Sequence, residues 1–130
     1  PVAHGISIDT WNHFVLTYDG TDAKWYKNGS LEGTLAGVSF TSATAAFLLG
    51  SSTGGGNRMD GKIDEFGVWS SVLSSSEITS LGTTVDGLRV SPSTISSNLL
   101  ACWKFTSASA SADTTGSYPL TLTDASLTNL

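Results

Sequence analysis

The chain has 130 residues, a net charge of −5 and only 13% charged residues, with serine and threonine at roughly three residues in ten, well above ordinary usage. The acidic balance excludes the basic face a nucleic-acid binder needs, and no apolar run approaches the ~18 residues of a membrane-spanning helix. The length suits one domain, and Cys102, the lone cysteine, excludes an internal disulfide.

Pro1–Ser7 reads as a lead-in, with a candidate edge strand around Ile6 and Ile8. It shows neither an initiator Met nor a leader pattern, which suggests a processed product or a fragment. Trp11–Tyr18 alternates as a strand, with Phe14, Leu16 and Tyr18 on one face and Trp11, His13, Val15 and Thr17 on the other. Asp19-Gly20-Thr21-Asp22 is turn chemistry, and Ala23–Lys27 returns as a strand carrying Trp25 and Tyr26. Asn28-Gly29 is the strongest hairpin signal in the chain, because a type I′ turn needs positive φ at both central residues. Ser30–Leu35 is its partner strand.

Gly37–Ala46 reads as a loop with one large residue, Phe40. Phe47–Gly50 reads as a short buried strand, and Ser51–Arg58 as a glycine-rich loop. Ile63, Phe66, Val68 and Trp69 suit a strand, in which Gly67 marks a bulge or a close approach. Ser74-Ser75-Ser76-Glu77 fits a capping box. Ile78 and Leu81 follow on the buried side of a short helix, and Gly82 is placed to end it in the left-handed conformation. Thr83–Asn98 has a linker-like composition in which Val85, Leu88 and Val90 pair locally. Leu99–Phe105 reads as a strand with Cys102 as a small buried hydrophobe, and Tyr118–Thr123 as another across a polar loop.

The run G-K-I-D-E-F-G-V-W-S-S-V-L-S-S-S-E-I resembles the closing motif of laminin-G-like domains, pentraxins included. Trp11–Gly33 is similar to the central meander of the same family. The resemblance implies an all-β, antiparallel concanavalin A-like (laminin-G-like) jelly-roll sandwich with one short helix near 75–81. N-L-L-A-C-W-K-F, A-D-T-T-G-S and L-T-L-T resemble the family's opening, yet here they follow its close. The chain therefore divides into a closing-type part at 1–82, a connection at 83–98 and opening-type strands at 99–130. Those last strands complete the same sandwich, begin a following repeat, or pass to a neighbouring subunit. The family's middle strands are not present, which would leave sheet edges and apolar faces open. Other protein subunits, joined by strand complementation, are the expected partners.

Three groups of residues bear on chemistry. Asp60, Asp64 and Glu65 are the densest carboxylates. A glycosidase needs two carboxylates flanking the sugar on one face, whereas Asp64 and Glu65 alternate, so no catalytic residue is assigned and a degenerate glycosidase is the third reading. Calcium wants six to eight oxygens. The pentraxin-type loop, Ser51–Asn57 here, has no carboxylate, which leaves Asp19, Asp22 and Asp60, with Asp113, as single candidates for a calcium cofactor. Trp11, Trp69 and Trp103 match family core positions, so Trp25 and Tyr26 are the candidates for a glycan platform. His13 is expected to pack and hydrogen-bond. Gly54-Gly55-Gly56 lacks the helix and the Lys-Ser/Thr pair of a phosphate loop, and Asn28-Gly29-Ser30 formally matches a glycosylation acceptor.

The expected function is a non-enzymatic, surface-exposed structural or adhesion module of a larger assembly. A virion decoration, a tail or fibre component, and an extracellular repeat protein all fit. The alternative is a lectin-like module that binds a cell-surface glycan, with or without calcium. The expected location is extracellular or on a virion surface, with no nucleic acid and no membrane insertion.

Overall fold

The computed structural model describes residues 9–41, 47–52, 57–85, 88–105 and 113–121. The expectations for Pro1–Ser7, for Gly54–Gly56 and for the Ser/Ala-rich loop fall outside them.

Strands β1 (Phe14–Tyr18), β2 (Ala23–Lys27) and β3 (Ser30–Leu35) form one antiparallel sheet in that order. Asn28 and Gly29 both take positive φ, 50° and 83°, as the type I′ turn requires, and Asn28 N donates to His13 O at 2.9 Å. The register Leu16↔Trp25 and Tyr18↔Ala23 gives Phe14, Leu16, Tyr18 and Trp25 one face and Val15, Thr17 and Tyr26 the other. Between β2 and β3 the register shifts after Trp25, which leaves Glu32 as the extra residue of a bulge. At the far turn, Asp19 Oδ1 accepts from Thr21 N (2.9 Å) and Asp22 N (2.7 Å), and Asp22 Oδ1 accepts from Gly37 N at 3.2 Å.

β4 (Phe66–Trp69) pairs antiparallel with β7 (Leu99–Trp103). It starts later than its composition suggests, because Glu65 takes φ 52° and breaks the extended run. Gly67 is a close approach: a Cβ there would stand 2.7 Å from Pro92 Cβ. Helix α1 (Ser75–Gly82) has the expected capping box. Glu77 N donates to Ser74 Oγ at 3.3 Å, and Ser74 N donates to Glu77 Oε2 at 2.7 Å. Its buried residues Ile78 and Leu81 join Leu73 in the core, with Val15, Tyr26, Trp69, Val90 and Ile95 packed around them.

Three local expectations are corrected. Gly82 is the last helical residue, and the cap is Thr83 in extended conformation. Glycine is needed at 82 because a Cβ would lie 2.3 Å from Gly29 N, where the helix end meets the hairpin turn. Phe47-Leu48 forms no strand and is exposed. Residues 118–121 form no strand either; they are fixed by other bonds, with Trp103 Nε1 donating to Tyr118 O at 2.9 Å.

The short strands β5 (Thr84–Val85) and β6 (Leu88–Arg89) pair locally, Val85 against Leu88, and a single 3₁₀ turn covers Pro92–Thr94. The architecture is thus mostly antiparallel β with one short helix. No helix among the described residues is long and apolar enough to cross a membrane.

Candidate functional site

The sheet of β1–β3 has two apolar faces with different fates. On the inner face, Val15 and Tyr26 pack on the α1 cluster. On the outer face, Phe14 is 55% exposed, Leu16 72%, Leu35 56% and the neighbouring Phe40 63%. Phe40 meets Tyr18 edge-on, with ring centroids 4.7 Å apart at 77°. Trp25 lies flat over Gly33, where an added Cβ would come within 2.1 Å of the indole. That flattening makes the centre of the outer face low, with Leu16 standing beside it as the cross-strand partner of Trp25.

Trp25 and Tyr26, adjacent in sequence, therefore point to opposite sides of the sheet and do not make a joint platform. Their alternation was legible. The openness of one face was not, because both faces carry apolar side chains and nothing in the pattern says which one a helix covers.

The carboxylates divide by location. Asp19 and Asp22 share the β1–β2 turn, each with an oxygen already accepting backbone N–H groups. The N–H groups of Asp22 and then Thr21 hold the Asp19 carboxyl below its ordinary range. Asp60 lies exposed in a separate segment. Among the described residues, no group of three or more His, Cys, Asp or Glu is arranged to hold a metal ion. A calcium there would draw on single carboxylates and backbone carbonyls.

Asp64 Oδ1 accepts from Glu65 N at 2.9 Å, and Glu65 Oε2 accepts from Ser91 Oγ at 2.6 Å. Both are tied to the start of β4. Asp113 is buried, and burial alone would raise its carboxyl. Hydrogen bonds from the Thr115 hydroxyl and from Tyr118, Thr115 and Ser117 N–H groups outweigh that and hold it low.

A polar node joins the hairpin turn to the helix end. Arg89 donates to Gly82 O (2.5 Å), Trp11 O (3.2 Å) and Asn28 Oδ1 (3.1 Å). The same Asn28 oxygen accepts from His13 N at 2.9 Å, which ties the Asn28 side chain into the node. His13 packs as expected, but its buried Nδ1 has no hydrogen-bond partner among the described residues. Burial, and then the Arg89 charge, push its pKa below the ordinary value. Trp11 is 49% exposed rather than in the core. Trp103 is buried and Trp69 half-buried, its Nε1 donating to Ile95 O at 2.9 Å.

A second apolar area lies on the β4–β7 pair. Phe47 stacks on Phe66 (5.5 Å, 16°) and Phe66 on Trp103 (5.5 Å, 25°). Beside them a shallow hollow is lined by Val68, Leu100, Ala101, Trp103 and Tyr118. Below this surface Cys102 is fully buried, and burial raises its thiol pKa, followed by the nearby Glu65 charge.

A laminin-G-type family model, described as the concanavalin A-like lectin/glucanases superfamily, matches residues 3–79. The 2.1 Å crystal structure of an S-layer domain-containing protein (residues 221–444) from Clostridium thermocellum matches with a TM-score of 0.55 and 23% identity. That match covers 60% of this chain and 42% of the other, so the chain spans less than half the length of that structure. No curated protein matches the chain.

Proposed function

The chain belongs to the laminin-G-like branch of the concanavalin A-like lectin/glucanase superfamily, and from that premise we propose that it is a non-catalytic structural or adhesion module of an extracellular assembly. The observation that carries this reading is the outer face of the β1–β3 sheet. A sheet is stable when its apolar face is covered, and Phe14, Leu16, Leu35 and Phe40 stay exposed while the opposite face already holds a helix. Partner subunits that complete the sandwich would cover it, with backbone pairing at the sheet edge supplying affinity. The pairing of β7 with β4 supports assigning the Leu99–Trp103 strand to the same sandwich. The fold likeness to an S-layer domain-containing protein supports a cell-surface setting, within which a fibre, a virion decoration or a repeat array are finer versions. The non-catalytic part rests on Asp64 and Glu65, both tied to the start of β4 rather than flanking a cleft.

The test is surface labelling. Intact cells or particles that carry the protein are treated with a membrane-impermeant biotin reagent and gently extracted. The chain should be labelled and elute in a high-mass complex. Unlabelled, free chain recovered from the interior would overturn the proposal.

A second reading is a lectin-like module. Trp25, backed by Gly33 on the outer face, favours it, because a flat indole can stack on a sugar ring. A calcium held near Asp19 and Asp22 would belong to this reading. Glycan-array binding that is lost in Trp25→Ala and weakened by EDTA would support it, and an array with no signal would remove it.

A further inference from the structure

We propose that Asn28 is a self-modification site. Its side-chain amide is lost to attack by the Gly29 nitrogen when the hairpin turn lifts off the helix end, is kept while the two stay packed, and once lost leaves a turn that cannot seat again. This goes beyond the assembly reading and does not depend on what the module binds.

The sequence supplies the chemistry. Asn12, Asn57, Asn98 and Asn129 are followed by His, Arg, Leu and Leu, whereas Asn28 is followed by glycine. Glycine has no Cβ to hinder the approach of its own nitrogen and lets the peptide turn freely. In the reaction the Gly29 nitrogen forms a bond to Asn28 Cγ and gives up its proton. The Cγ–Nδ2 bond breaks, and ammonia leaves with that proton. A five-membered imide remains, and water opens it. Attack of water at Cγ gives aspartate with the main chain restored. Attack at the main-chain carbonyl gives isoaspartate, whose main chain runs through Cβ and is one carbon longer.

The packed fold withholds the geometry this needs. Ring closure requires the Gly29 nitrogen on the same side of the Cα–C bond as Cβ. Asn28 and Gly29, at φ 50° and 83°, form a type I′ turn, in which ψ of the first central residue is about +30°. That angle sets the nitrogen nearly opposite Cβ, so the Asn28–Gly29 peptide must rotate before it can reach Cγ. Gly82 blocks the rotation. A Cβ at Gly82 would stand 2.3 Å from Gly29 N and 2.6 Å from Asn28 C, so this peptide lies directly on the helix end.

The side chain is pinned as well. Asn28 Oδ1 accepts from His13 N at 2.9 Å and from Arg89 Nη2 at 3.1 Å, and Arg89 also donates to Gly82 O. One guanidinium therefore ties the amide to the same helix end that holds the peptide, and an opening there releases both restraints together. After isoaspartate forms, the added main-chain carbon lies between Lys27 and Ser30, whose pairing closes the hairpin. The two-residue turn no longer fits, and a reversible opening has become permanent.

Peptide mapping by mass spectrometry, after timed incubation in mildly alkaline buffer, tests the proposal. The folded wild-type chain should keep the Asn28 amide, and the urea-unfolded chain should lose it ahead of the other four asparagines. Arg89→Ala, kept folded, should convert about tenfold or more faster than folded wild type, because bonds to a charged donor are lost and only opened molecules react. If Arg89→Ala does not fold, wild type in urea below its unfolding midpoint takes its place, and conversion there should rise in proportion to hydrogen exchange at the Gly29 amide. Asn28→Asp should keep a protected hairpin, since a carboxylate oxygen still accepts from His13 N and Arg89. The isoaspartyl chain, separated by chromatography, should show no protection at the hairpin.

A folded wild-type chain that converts as fast as the unfolded one overturns the proposal. So does conversion that neither Arg89→Ala nor urea below the midpoint accelerates, and so does an isoaspartyl chain whose hairpin is protected like that of the wild type.

Discussion

Val15 and Leu16 are consecutive on β1, yet Val15 packs against the helix cluster of Leu73, Ile78 and Leu81 while Leu16 stands 72% exposed. The two faces of one sheet thus differ in what they do for the chain. The inner face holds the fold together. On that side Gly82 packs directly against Gly29, and the Arg89 guanidinium spans three acceptors. The outer face contributes little to this fold, since Phe14, Leu16 and Leu35 stay exposed on it. Apolar character by itself therefore does not identify core. What decides it is whether a second element with matching shape lies within reach.

The comparison breaks most sharply with paired truncations. Ile78→Ala removes a side chain that is 1% exposed, and should lower unfolding stability by about 3 kcal/mol through lost transfer energy and a residual cavity. Leu16→Ala, a similar loss of volume on the other face of the same sheet, should change monomer stability by no more than about 0.5 kcal/mol. Urea unfolding at a concentration where the chain is monomeric measures both. Equal costs would mean that the outer face is core after all.

The second effect is smaller. Arg89→Ala leaves Gly82 O, Trp11 O and Asn28 Oδ1 without their shared charged donor. The expected cost is about 2 kcal/mol, typical of bonds to a charged group. Hydrogen exchange should show the added opening at the Asn28-Gly29 turn and the C-terminal end of α1, with the β4–β7 pair unaffected. Uniform loss of protection would show that the node is not local.

Much of the inner side was legible in the sequence because short-range chemistry specifies it. Asn28-Gly29 can hardly be anything but a tight turn, Ser74 with Glu77 spells its own cap, and alternation sets the faces of β1. The misreadings share a different cause. Gly82 was expected as a left-handed cap, but the Asn28-Gly29 turn, more than fifty residues away, packs so closely on it that no Cβ fits. Phe47-Leu48 has strand composition, but among the described residues nearby the pairing is the isolated Ser51↔Arg58 bridge, and Phe47 instead stacks on Phe66. Trp11 was expected in the core, and here it is half exposed while its carbonyl serves Arg89. Each depends on a contact between distant segments, which composition does not encode. The outer face was half legible: its members were identified, its openness was not.

The smallest effect is a pH dependence seated at the boundary between the two faces. His13 is on the inner side, and burial followed by the Arg89 charge lowers its pKa below the ordinary 6.5. A base with a depressed folded-state pKa stays neutral in the fold while the unfolded chain takes up a proton near pH 6.5. In that window the unfolded state binds more protons, so stability rises with pH. The full contribution of neutral His13 is present above about pH 6.5 and is lost as pH falls toward its folded-state value. The carboxylates behave separately. Asp19, Glu77 and Asp113 are all held low by hydrogen bonds, so their contribution stays intact above the ordinary carboxylate range and is lost only in stronger acid. Melting temperature should therefore fall in two steps on acidification, and His13→Gln should flatten the first step and leave the second in place. Leu16→Ala, on the outer face, should leave both steps in place, because Leu16 stands exposed and away from the helix cluster. A shifted first step in that variant would mean that the two faces are coupled through β1.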